Sequence, residues 1–120
     1  MFPQVDFSQV DPVWPDKVSP AGAKYAYTKP AVIARGQSAL QELYHRPEKV
    51  ILVVSHSGFL RSGVTGNFYY NADYRIFDFA EPEGGMYKLK QWESTIKGGL
   101  GWSLVRTVPL GEGVPEDLSV

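Results

Sequence analysis

The stretch Val50-Ile51-Leu52-Val53-Val54-Ser55-His56-Ser57-Gly58-Phe59-Leu60-Arg61 decides how the rest of the chain is read. Its apolar, mostly β-branched first half predicts a buried strand. The Ser-His-Ser-Gly turn closes that strand and opens into a second helix expected over about 58–65, which Gly63 and Gly66 weaken. One imidazole, that of His56, is thereby set at the carboxyl end of a strand, beside the free N–H groups of a new helix. In open α/β sheets ligands collect at that end of the strands, and a helix N-terminus favours anions.

Working upstream, residues 1–30 carry Pro3, Pro12, Pro15, Pro20 and Pro30 and read as an irregular surface loop. The first helix is expected to start near Thr28, a good N-cap, with Pro30 in its first turn. Ile33, Gly36, Leu40, Leu43 and Tyr44 recur at helical spacing on one face. Arg46-Pro47-Glu48-Lys49 ends the helix, because proline disfavours helical geometry in the residue before it. Downstream, Asn67 to Asp73 reads as a loop and Tyr74 to Phe79 as a half-buried strand. Glu81-Pro82-Glu83-Gly84-Gly85 is a turn. Met86 to Trp92 and Trp102 to Val108 read as strands joined by Gly98-Gly99-Leu100-Gly101, and residues 110–120 as a flexible tail. The fold class is α/β, with one domain over 1–109.

Composition narrows the partners. The chain has 120 residues, 43% of them hydrophobic and 21% charged, as in a soluble globular domain. Twelve basic against 13 acidic residues leave a net charge of −1; a nucleic-acid surface needs a basic excess, so none is expected. The absence of cysteine removes disulfides, a thiol nucleophile and thiolate metal ligands, and two histidines offer little for zinc. No cofactor is implied. The longest apolar run, Val50 to Val54, is too short to span a bilayer, and the first residues do not resemble a signal peptide. A cytoplasmic location without membrane association is the resulting expectation.

Three stretches carry a resemblance to a known family: Val5-Asp6-Phe7-Ser8-Gln9-Val10 ahead of Trp14, the helix ending in Arg46-Pro47-Glu48-Lys49, and Val53-Val54-Ser55-His56-Ser57-Gly58-Phe59-Leu60. Asn71-Ala72-Asp73-Tyr74-Arg75-Ile76-Phe77 adds to them. From about Val5 to Phe79 the chain resembles the second half of a histidine phosphatase (phosphoglycerate mutase-like) domain, closest to a fungal-type branch. The resemblance implies a partial three-layer α/β domain lacking its first strand and helices, with residues 1–28 as a lid-like loop region. It also implies phosphoric monoester hydrolysis, with a small phosphorylated molecule as ligand and no cofactor or metal. In that family a histidine in an Arg-His-Gly motif accepts the phosphoryl group. A second histidine contacts the phosphate, and an acidic residue protonates the leaving oxygen. His56 matches the second histidine, and Ser57 and Gly58 would contact phosphate beside it; Ser57 stands where glycine is frequent.

Arg-His-Gly occurs nowhere in the chain. The nucleophile, its arginine and the proton donor are expected upstream of Met1. Phosphoryl transfer through histidine needs an in-line nucleophile and several donors around the equatorial oxygens. The chain alone is thus expected to be incomplete, and an enzyme only if a second chain or missing segment completes the site. The Val50–Val54 strand, deprived of its family neighbour, would expose an apolar edge and invite pairing, including homo-oligomerisation. The alternative is a non-catalytic remnant that binds a partner or small anion. A further alternative is acid–base chemistry by His56 on a small metabolite.

Other residues weigh less. Ser55 and Ser57 lack a Gly-x-Ser-x-Gly elbow, which argues against a serine hydrolase. His45 suits a helix C-terminus, and Arg61 a solvated or paired role. Asp73 and Asp78 are candidates to orient His56. Trp14, Tyr25 and Tyr27 either cover a pocket or pack the loop, while Trp92 and Trp102 read as core or interface.

Overall fold

The computed structural model describes residues 4–16 and 19–117; the ends of the loop region and tail, 1–3 and 118–120, and residues 17–18 lie outside that description. Helices and a two-stranded antiparallel sheet make the chain a mixed α and β protein. Among the described residues no helix is long and apolar enough to cross a membrane.

The helix α1, Lys29–Tyr44, begins where Thr28 leaves extended geometry and Pro30 takes the first turn. The Thr28 side chain does not cap it. Instead the Lys29 N–H donates to the Pro115 carbonyl at 2.7 Å, so the terminal segment satisfies an orphan donor of the helix. The segment expected as a loose tail is therefore tied down over 110–117. Gly111 N–H donates to Ser62 O at 2.8 Å, Val114 is buried, and Lys29 pairs with Glu116 at 2.8 Å. At the other end His45 turns its N–H to Gln41 O and Leu43 O, ahead of Pro47.

The inward stripe of α1 is Val32, Gly36 and Leu40; Tyr44 is exposed and joins an aromatic group with His45, Phe79 and Tyr87. Gly36 sits where a second helical segment crosses. That segment is α2, Ser57–Phe59, running on into one π-helical turn, Leu60–Thr65. A Cβ on Gly36 would fall 1.7 Å from Gly63 O, so the two backbones touch. The missing side chain of Gly36 is what permits this contact, and a Cβ on Gly63 would in turn lie 3.0 Å from Val32 O. Gly66 ends the turn at φ 73°, and its oxygen accepts from Val108 N–H at 2.9 Å.

The sheet is a hairpin. β1, Phe77–Phe79, pairs with β2, Leu89–Gln91, in the register Phe77↔Gln91, Asp78↔Lys90 and Phe79↔Leu89. Its turn is closed by reciprocal Glu83–Met86 bonds, with Gly84 at φ 59° and Gly85 at φ 77°, positive angles that suit a tight hairpin. Gln37 ties the hairpin to α1: its amide donates to Tyr87 O at 3.1 Å and accepts from Tyr87 N–H at 2.7 Å.

Two expected strands do not form. Trp102 to Val108 contributes only an isolated Asn67↔Thr107 bridge, because no strand lies alongside it among the described residues. Val50 to Val54 forms no regular element and has no inter-strand hydrogen bond among the described residues. It is not buried either: Val50, Leu52 and Val54 are 89%, 85% and 88% exposed, while Ile51 and Val53 are 38% and 51% exposed. A strand is defined by its neighbours, and this one has none among the described residues. The buried apolar core correspondingly comprises only Ala26, Val32, Leu40 and Val114 among the described residues.

Long connections are held by two side chains. Arg75 donates to Phe68 O, Gln91 Oε1, Thr95 O, Ile96 O and Leu104 O, uniting four segments around one guanidinium. Asp73 accepts from Tyr74 N–H, Leu100 N–H and Ser103 Oγ–H. In the N-terminal loop, Asp11 accepts from Lys24 at 2.8 Å, Tyr25 Oη at 2.7 Å and Val13 N–H at 3.0 Å. Lys24 chiefly, then Tyr25 and Val13, lower its carboxyl from 3.8 to about 2. Since the folded value lies below the unfolded one, the ionised form favours the loop above about pH 4, and this contribution is lost as pH falls toward the folded value. A carbon-13 titration of the Asp11 carboxyl is expected to show a midpoint near 2; an ordinary carboxylate midpoint would contradict the contact.

Candidate functional site

His56 stands between the unpaired segment and α2. Its backbone is extended, φ −82° and ψ 144°, and it occupies the N-cap position without capping the helix by its side chain. Its carbonyl accepts from Leu60 N–H at 3.0 Å, the first bond of the helical segment. The ring is exposed and has no hydrogen-bond partner among the described residues. Ser57 and Gly58 follow it, both exposed, and nothing lies within 4 Å of where a Gly58 Cβ would project. The first helical amides have no earlier carbonyl to pair with. His56, Ser57 and Gly58 thus share one open, solvent-facing turn at a helix start, but the buried strand expected to lead into it is absent among the described residues.

The remaining candidates do not gather around it. Asp73 is committed to the 100–103 loop, and Asp78 accepts from Trp92 Nε1 at 3.0 Å. Neither orients His56. His45 lies at the far end of α1, its Nδ1 2.8 Å from Gln41 O. Tyr25 packs the N-terminal loop through Asp11, whereas Trp14 and Tyr27 are exposed. Trp92 and Trp102 are exposed rather than core, and Trp102 meets Tyr70 edge to face at 5.8 Å. No group of three His, Cys, Asp or Glu residues that could hold a metal occurs among the described residues.

Comparisons with protein-family models, with curated proteins and with solved structures find no match to this chain. An exposed imidazole with open backbone amides can donate to an oxyanion. It cannot by itself supply both a nucleophile and an acid for phosphoryl transfer.

Sequence reasoning passed over Arg106 and assigned Arg61 a solvated or paired role. The Arg61 and Arg106 guanidiniums lie 5.1 Å and 4.8 Å from the centre of the Phe68 ring. The signal for Arg106 was absent from local sequence, because the Asn67↔Thr107 bridge that sets it beside Phe68 spans distant segments.

Proposed function

We propose that this chain carries half of a histidine-phosphatase-type phosphate site, with His56 as the phosphate-contacting imidazole and Ser57 and Gly58 as donors beside it. The observation that supports the reading most is the pairing of two exposures in one continuous stretch. The apolar Val50–Val54 segment lacks a strand partner, and the His56 ring that follows it lacks a hydrogen-bond partner among the described residues. In a partial phosphoglycerate mutase-like domain both belong to the same seam: a neighbouring strand would cover the first and bring the nucleophile to the second. A complementary strand, or a second copy of this chain meeting the same edge, would bury apolar surface worth about 25 cal/mol per Å².

The same exposure favours a second reading, in which the seam binds a partner or small anion without turnover. Hydrolysis of an aryl phosphate separates the two. The chain by itself is expected to be silent, and so is His56→Ala. Activity in a complex with a complementary segment, lost in His56→Ala, supports the half-site. Silence in that complex, with binding retained, favours the non-catalytic reading. Turnover by the isolated chain that persists in His56→Ala would overturn the assignment of His56.

A further inference from the structure

Most cations of the chain that matter to its fold are spoken for. Lys24, Lys29, Arg46 and Lys88 form ion pairs, and Arg35 and Arg75 donate to backbone carbonyls. Arg61 and Arg106 differ. Neither donates a hydrogen bond nor reaches a carboxylate among the described residues, yet both lie against one aromatic ring, at 5.1 Å and 4.8 Å from its centre. The two guanidiniums thus share one aromatic platform, and no carboxylate among the described residues neutralises either charge.

Specific backbone features bring them together. Arg61 lies in the π-helical turn Leu60–Thr65, where its carbonyl accepts from Gly66 N–H at 3.0 Å. Such widened turns often mark functional positions. After Gly66 the chain meets the 107–108 segment through the Asn67↔Thr107 bridge and the Val108 N–H to Gly66 O bond. Phe68 and Arg106 are the next pair along that antiparallel alignment. A Cβ on Gly66 would fall 2.4 Å from Val108 O, so glycine is required for this approach. Cation–π attraction to Phe68 uses no N–H donor, and neither guanidinium donates a hydrogen bond among the described residues.

We propose that Arg61 and Arg106, seated on Phe68, bind a polyvalent phosphate anion of the diphosphate class. Planar guanidiniums donate in pairs to phosphate oxygens, and a diphosphate offers enough oxygens and charge to satisfy both. This site does not use His56 and stands independently of the half-site reading.

The test is a titration of the full chain with inorganic pyrophosphate, followed through the Nε–Hε resonances of Arg61 and Arg106, with sodium chloride at matched ionic strength as reference. Both resonances are expected to move along one saturable curve. Arg61→Gln and Arg106→Gln should each weaken binding about tenfold or more, whereas His56→Ala should leave it unchanged. Non-saturating shifts, shifts reproduced by chloride, or undiminished affinity in either glutamine variant would overturn the proposal. If a variant fails to fold, the wild-type curve and its chloride reference still decide.

Discussion

Arg75→Met is expected to lower stability by about 4 kcal/mol, the largest effect of any single replacement considered. Arg75 reaches the carbonyls of Phe68, Thr95, Ile96 and Leu104 and the side chain of Gln91. Hydrogen bonds to a charged donor contribute roughly 1.5–3 kcal/mol each, and members of one cluster do not add fully. Burial lowers the guanidinium's pKa from its ordinary value, but an arginine stays charged at neutral pH, so its donors are permanent. Methionine keeps the stem and removes every donor. Lysine should not rescue, because one compact ammonium cannot address acceptors spread over four segments. Urea unfolding measures the loss, and amide exchange should quicken over 92–104 before α1 is affected. A stability within about 1 kcal/mol of the parent would mean that Arg75 does not organise these loops.

Gly36→Val is expected to cost about 3 kcal/mol through overpacking. The added Cβ would lie 1.7 Å from Gly63 O and 2.5 Å from Gly63 C, both backbone atoms that cannot rotate aside. Intrinsic preference works the other way, since glycine is the poorer helix former by a few tenths of a kcal/mol. The sign of the measured change therefore decides between local propensity and tertiary contact. Ser38→Ala, at an exposed position of the same helix, serves as the neutral control. A Gly36→Val chain as stable as its parent would show that the two helical segments do not touch there.

These positions explain which parts of the fold were legible. The start of α1 could be read from Pro30 and its end from Pro47, because proline geometry is local, although Thr28 takes the N-cap position without its side chain capping the helix. The helical segment after His56 was legible from the Ser-His-Ser-Gly turn that precedes it, although its π turn was not. The turn at Glu81–Gly85 and a strand on either side of it were legible, whereas both strands proved shorter than expected and their pairing shows only in the fold. Val50–Val54 shows the limit. Its residues favour a strand, but strand formation requires a partner, and no neighbour is present among the described residues. Trp102–Val108 failed likewise. Gly36 and Gly63 looked like weak points because their value lies in a contact between distant segments. Arg75 likewise gave no local sign of holding its acceptors together. At the candidate site, the order His56-Ser57-Gly58 and its place at a helix start were legible. That Asp73 and Asp78 serve other partners was not, since only tertiary hydrogen bonds reveal it.

Vanadate titration of the chain, followed through the His56 ring resonances, tests the half-site most directly. Vanadate is a phosphate analogue, and His45 provides an internal reference because its ring is engaged with Gln41 O. The account predicts a saturable shift at His56, an unmoved His45, and loss of the response on adding excess phosphate. A His56 ring that does not respond, or two histidines that drift together with ionic strength, would contradict it.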